Sequence, residues 1–358
     1  MKSKDLKISL REVLNTQATS YEYTDTMEFI LSKCIEYGAD DYYVDKHDNI
    51  YVTKGVTDAY PCVVSHTDTV HDIYKGYKVY EVEGNFVAFD TDKMQQVGTG
   101  GDDKVGIWVC LEMLKHFDNI KVCFFSQEEI GCVGSSKADK EFFNDVAYAF
   151  ECDRKGNKDF VQTSSGIKMF GDEFKKLISP TLKSYGYSIT DGGLTDVHEL
   201  AQDMGIACAN MSCGYYRPHS NQEYVNIDDA IHTCNLVRSL ITSLGEVRYE
   251  HTATSNYHSY LGGYDYYGYG AYGVKKSSVK NKAKIVSKYN SWCNDCGSIE
   301  SSACDFCNKD SSEELKSVSK EPQIKECACG FQARKYTDNA GSYLHCNCCG
   351  FYEDCSPF

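Results

Sequence analysis

"PCVVSHTDTVHD", residues 61–72, runs from an apolar strand straight into two histidines and two aspartates. Ser, Thr and Asp are ordinary turn residues at a strand end, so the stretch alone admits a bland reading. Its recurrence down the chain decides against that. "VGTGG" (97–101) leads into Asp102 and Asp103 at the start of a helical pattern, and "KVCFFS" (121–126) reaches Glu128 and Glu129. "VAYAFEC" (146–152) reaches Asp153, and "ANMSCGYYRP" (209–218) reaches His219. Each apolar, β-rich run thus ends in a metal-ligand type of residue.

The runs "YPCVVS", "NIKVCFFS", "DVAYAFE" and "GIACANMS" alternate with helical patterns such as "DDKVGIWVCLEMLKHF". That alternation predicts an α/β domain with a mostly parallel central sheet flanked by helices. "LREVLNTQATSYEYTDTMEFILSKCIEYG" (10–38) reads as helical, and "YYVDKHDNIYVTKG" (42–55) as a hairpin around Asp48-Asn49. In "NIDDAIHTCNLVRSLITSLG" the residues Ile227, Ala230, Ile231, Cys234, Val237, Ile241 and Leu244 fall on one helical face, with Gly245 placed to cap the end. The first domain is therefore expected to span 1–248. In open α/β sheets the ligand site lies beyond the carboxyl ends of the strands, so the loops named above would converge in one crevice.

The 358-residue chain carries a formal net charge of −15 and 19 cysteines. Acidity on this scale argues against wholesale nucleic-acid binding, because phosphate contact depends on Lys and Arg. No apolar run approaches the roughly 20 residues of a membrane span, and "MKSKDLKISLREVL" is charged without an apolar signal segment. The expectation is a cytoplasmic protein, away from the membrane, whose cysteines are thiols and metal ligands rather than disulfides.

Chemically, the strand-end residues are what two adjacent zinc ions require. One carboxylate bridges them, each takes a His and a further carboxylate, and one coordination position stays open for water. A carboxylate outside the ligand set can then take the proton of that water. "SHTDTV", "GTGGDDKVGI", "SQEEIGCVGS", "ECDRKG" and "HSNQEYV", in that order, resemble the ligand motifs of the co-catalytic zinc exopeptidases: peptidase T, the carboxypeptidase G type and the lidless aminopeptidases. The resemblance covers about residues 40–245 and implies a phosphorylase/hydrolase-like fold. It also implies that His66, Asp102 and Asp153 bind one zinc, that Asp102, Glu129 and His219 bind the other, that Glu128 is the general base, and that Asp68 orients His66. "DGGLTDVHEL" resembles the segment before the final ligand in that superfamily. His71 and His198 are left outside the metal set.

The chain departs from the larger members. A lid domain separates the fourth and fifth ligands in peptidase T and the carboxypeptidase G type, whereas Asp153 and His219 stand 66 positions apart here, too few for a lid. Ring-forming aminopeptidases insert a domain between the first His and the bridging Asp; here that interval is 36 positions. A lid also brings an oxyanion donor, so this chain must find another or rely on its metals, and Tyr216 and Arg217 are the candidate donors. Arg217 could instead pair with a substrate carboxylate.

The expected function is a zinc-dependent exopeptidase, aminopeptidase or tripeptidase-like, acting on a peptide substrate. The alternatives are an amide deacylase of the same superfamily, or a binding protein with an accessory hydrolase domain. The last rests on the rest of the chain. Residues 249–289 read as a linker containing a Tyr/Gly tract, "NYHSYLGGYDYYGYGAYG", and a lysine-rich stretch, "VKKSSVKNKAKIVSK". Residues 290–358 are dense in cysteine. Cys293 and Cys296, Cys304 and Cys307 form two C-x2-C knuckles, and Cys327, Cys329, Cys346 and Cys349 form a second set. Such thiolates can close one or two structural zinc sites in a zinc-ribbon-like module, placed to hold a protein or nucleic-acid partner.

Overall fold

The structure, a computed structural model, describes residues 3–255 continuously. Beyond them it describes only the strands Ser291–Trp292, Ile299–Glu300, Ile324–Glu326, Gln332–Asp338, Gly341–His345 and Tyr352–Asp354. By Cα proximity the chain divides into Met1–Lys280 and Asn281–Phe358. In the second unit Ser291–Trp292 pairs with Ile299–Glu300, and the other four strands form an antiparallel sheet in chain order. Cys293, Cys296, Cys304, Cys307, Cys327, Cys329, Cys346 and Cys349 lie outside the described residues, as do both linker tracts.

The first unit contains α1 (Ser3–Leu14), α2 (Thr24–Glu36), β1 (Asp41–Val44), β2 (Ile50–Lys54), β3 (Tyr60–His66), β4 (Tyr77–Val82), β5 (Asn85–Asp90) and β6 (Gln95–Val97). These are followed by α3 (Gly101–His116), β7 (Ile120–Phe125), β8 (Val146–Arg154), β9 (Asp159–Ser164), β10 (Ile167–Lys168), α4 (Asp172–Ser184) and β11 (Ser188–Gly192). Last come α5 (Asp196–Asp203), β12 (Ala207–Ser212), β13 (Tyr215–Tyr216), β14 (Tyr224–Asn226), α6 (Ile227–Leu244) and β15 (Thr254–Ser255).

The main sheet runs β1-β2-β7-β3-β8-β12-β9-β10-β15, with β11 beside β9. Its centre, β7-β3-β8-β12, is parallel, and the flanks are largely antiparallel. Every residue of β3 and β7 is buried, the mark of strands covered on both faces. On one face Cys62, Val64, Cys123, Phe125, Ala149 and Cys208 pack with Val197, Leu200 and Ala201 of α5, the period-2 alternation of a pleated strand. On the other face lies α3, buried from Gly101 to Leu114, so that its hydrophobic character wraps all round rather than forming a stripe.

Three readings meet the structure differently. The ligand-bearing strands and α3 stand where the apolar runs place them. Gly245, at φ 65°, closes α6, whose buried face includes every residue named for it except the half-buried Ile231. The stretch 10–38, expected as one helical segment, is two helices separated by residues 15–23. There the chain leaves the helix because its polar groups serve other partners: Thr16 O accepts from the buried Lys104 ammonium at 2.6 Å, and Ser20 Oγ donates to Asp68 at 2.6 Å. A second, antiparallel sheet, β13-β14-β5-β4 with β6 on β5, draws β4, β5 and β6 from the interval between His66 and Asp102 and β13 and β14 from the segment around His219. The nine cysteines described are all buried free thiols. Among the described residues no helix is long and apolar enough to cross a membrane.

Helix α3 is anchored at its centre by Trp108, whose Nε1 donates to Ser9 Oγ of α1 at 2.8 Å. Trp108→Ala is expected to cost about 3–5 kcal/mol, and Ser9→Ala about 1–3 kcal/mol from the stranded indole N–H. Urea denaturation should rank the two in that order.

Candidate metal centre

Parallel pairing puts the ends of β3, β7 and β8 side by side, so the residues just beyond them share one edge. His66 ends β3, and its imidazole is fully buried, with Nδ1 3.0 Å from the Asp68 carbonyl oxygen and 3.4 Å from its carboxylate. Nε2 lies 3.3 Å from Asp102 Oδ1, 3.8 Å from Asp153 Oδ1 and 4.0 Å from Glu128 Oε2. His219, on the loop between β13 and β14 at φ 58°, is the exposed member, its side chain 55% accessible. Its Nε2 stands 3.3 Å from Asp102 Oδ2 and 3.2 Å from Glu129 Oε2. The two oxygens of Asp102 therefore face different histidines.

Among the described residues, two groups bring ligand atoms within 4.8 Å of one another: His66 with Asp102 and Asp153, and Asp102 with Glu129 and His219. All five residues expected as catalytic ligands are thus assembled, and Asp102 belongs to both groups. The donor set, two imidazoles and three carboxylates, is one that zinc accepts. Glu129 Oε1 is buried without a hydrogen-bond partner, a free lone pair inside the second group. The residues fit a pair of cations.

Electrostatics points the same way. Burial resists charge on His66, yet hydrogen bonding to Asp102, Asp153 and Asp68 raises its pKa well above the ordinary value. Hydrogen bonds to Asp102 and then Glu129 lift His219 to about 10. Burial, reinforced by the charge of Asp102, pushes Asp153 well up. Burial also raises Glu128, with His66 opposing and the charges of Glu129 and Asp102 adding. Asp102 is instead driven down, hydrogen bonds from His219 and His66 outweighing its burial. The cluster holds more negative charge than its interior tolerates, and protons or cations must neutralise it.

Residues outside the ligand set fix the loops. Asp68 accepts main-chain N–H bonds from Glu128 at 2.9 Å and Glu129 at 3.4 Å, so it holds the loop carrying both glutamates as well as facing His66. Asp103 Oδ1 accepts from Gly106 N, capping the start of α3, and its Oδ2 accepts from His66 N. A Cβ at Gly106 would stand 2.3 Å from that carboxylate. Tyr215 donates its hydroxyl to Asp153 Oδ1 at 3.1 Å, and Cys132 Sγ lies 3.4 Å from Glu128 Oε1. Tyr216 donates its hydroxyl to Asp229 Oδ2, and Arg217 Nη1 donates to Gln222 Oε1. His71 pairs with Glu223 and His198 with Ser164, so neither spare histidine joins the ligand groups. Tyr215 and Glu223 were missed from sequence. Their only signal is proximity to His219, and nothing in the residue types says that they turn inward.

Residues 78–236 match the model of the M42 glutamyl aminopeptidase family, a span holding Asp102, Glu128, Glu129, Asp153 and His219. The chain is similar in structure to aminopeptidase PepT from Bacillus cereus, at 14% identity over 68% of this chain and 99% of that one, TM-score 0.57. It is similar to a tripeptidase from Staphylococcus aureus, at 14% identity over 68% and 100%, TM-score 0.56. An aminopeptidase from the archaeon Desulfurococcus kamchatkensis matches at 14% identity over 67% and 95%, TM-score 0.53. No curated protein sequence matches. At this identity the likenesses establish the shared fold. The family match, that fold and the two ligand groups together support a metallopeptidase.

The loop bearing Glu128 is pinned from the neighbouring hairpin. Asn49 Nδ2 donates to Gly134 O at 3.1 Å, and its Oδ1 accepts from Ser126 N at 3.1 Å. Asn49→Ala strands the buried Ser126 N–H, while Gly134 O keeps its bond from Lys137 N, and is expected to cost about 1–3 kcal/mol, read as a lowered urea midpoint.

Proposed function

We propose that the chain is a di-zinc exopeptidase that removes residues from the amino end of short peptides. The observation that carries this is the Asp102 carboxylate, one oxygen turned to His66 and the other to His219, with Glu128 beside the first group but in neither. The choice of peptide substrate and of its amino end draws on the peptidase family matched and on the aminopeptidases and tripeptidase of like fold.

In this reading His66, Asp102 and Asp153 would hold one zinc, and Asp102, Glu129 and His219 the other. The chemistry such ions would supply is a lowered pKa for water and polarisation of the scissile carbonyl. Glu128 takes the proton of the attacking water and passes it to the departing amine. Asp68 keeps the Glu128 main chain in place, and the Cys132 thiol sits against the Glu128 carboxylate. The cysteine-rich tail is proposed to hold structural zinc of its own through Cys293, Cys296, Cys304, Cys307, Cys327, Cys329, Cys346 and Cys349, apart from the chemistry and free to engage a partner. Cytoplasmic residence belongs to the same proposal.

Glu128→Gln is expected to lower hydrolysis of short peptides at least about 10²-fold, the lower range for losing a general acid-base group, with bound zinc unchanged. Activity within a few-fold of the parent would remove Glu128 from this role. Asp102→Ala should lower zinc content relative to the parent chain, measured by plasma emission; equal content would refute the bridge. Chelation should abolish hydrolysis and added zinc restore it.

A further inference from the structure

Resting on the di-metal reading, we infer that Glu223 and His71 form a positioning pair that sets the main chain of the Gly100–Asp102 turn and thereby aims both oxygens of Asp102. Glu223 is fully buried and lies outside both ligand groups. Its carboxylate is nonetheless consumed by donors: Oε2 accepts from Gly100 N at 2.6 Å and faces His71 Nε2 at 2.7 Å, and Oε1 accepts from Asp102 N at 3.1 Å. A carboxylate only accepts here, so the His71 tautomer with a proton on Nε2 is the one that completes the pair. Main-chain N–H groups at a helix start lack intrahelical partners, and a buried anion satisfies them and suits the positive end of the helix.

The glycines of "VGTGG" record how closely this device is packed. A Cβ on Gly98 would fall 2.0 to 2.4 Å from three atoms of the His71 ring. One on Gly101 would fall 2.7 Å from Tyr215 Cβ and from Val225 Cγ2. Gly100 takes φ 62° between them. From the other side His71 N donates to Thr69 Oγ1, which donates to Ala18 O. The hairpin of β13 and β14 therefore delivers two things to the centre: His219 directly, and through Glu223 the main-chain position of Asp102. Asp102 needs that support more than the other ligands, because a carboxylate that divides its oxygens between two groups has no free rotation to absorb a shifted main chain. Partners of this kind typically change metal affinity about 10–100-fold.

The test reads metal binding rather than turnover. Mn2+ is suited to carboxylate rather than thiolate ligands, so loss of the free-ion paramagnetic resonance signal on titration of the full chain reports the carboxylate-rich centre rather than the cysteines. Glu223→Gln puts an amide N–H against main-chain and imidazole donors and is expected to weaken Mn2+ binding about 10-fold or more, with circular dichroism unchanged. His71→Ala, at a partly exposed position, should weaken it in the same direction and to a smaller extent. Parent-like affinity in both variants overturns the inference, as does parent-like affinity in His71→Ala if Glu223→Gln fails to fold. Weakened binding in His71→Ala supports it in either case. Asp102→Ala separates the two readings. If that variant too binds Mn2+ like the parent, the metal reading itself has failed; if it alone loses binding, only the positioning pair has.

Discussion

The structure is organised around an electrostatic conflict at one edge of its sheet. Asp102, Glu128, Glu129 and Asp153 gather around the buried His66 and the half-open His219. Like charges 4 Å apart repel by roughly 4 kcal/mol at an effective dielectric near 20, so these carboxylates would drift apart unless their main chains were held. Three further carboxylates hold them. Asp68 grips the Glu128–Glu129 turn, Asp103 ties α3 to the end of β3, and Glu223 grips the Gly100–Asp102 turn, each by accepting main-chain N–H groups. The acidic composition is thus divided between groups left open to a cation and groups already spent on the backbone.

That division explains what the sequence reveals and what it hides. The strands of the parallel centre are continuous apolar runs because both faces are covered, and such runs stand out, each ending in a ligand type of residue. Fold centre and candidate ligands were therefore legible together. The second sheet was not, since β4 has one buried position and β5 alternates buried with half-buried ones, so neither forms a continuous apolar run. The break between α1 and α2 was hidden because Ser20 and Thr16 spend their polar groups on Asp68 and Lys104, partners far along the chain. Glu223 could be quoted within "HSNQEYV" but not understood. Its partners at Gly100 and Asp102 lie more than a hundred positions away.

The histidines make the same point from the opposite side. Four of them, His66, His71, His198 and His219, sit near motif residues, and composition treats them alike. What separates them is the partner each Nε2 or Nδ1 meets: paired ligand carboxylates for His66 and His219, the spent carboxylate of Glu223 for His71, and the Ser164 hydroxyl and carbonyl for His198.

Asn49 and Gly134 carry a consequence for how such a chain can change over generations. The space beside Gly134 is filled by Asn49 Oδ1 and by Ser126, so that any Cβ there would stand within 2.4 to 2.7 Å of them. Withdrawing Asn49 would not admit a side chain at 134, because Ser126 O and N of the main chain would still stand 2.4 and 2.7 Å from its Cβ, and it would abandon the buried N–H of Ser126. A change at either position is costly by itself, and no change at 49 relieves the one at 134. An edge hairpin that belongs to neither ligand group thereby fixes the course of the loop that carries Glu128 and Glu129.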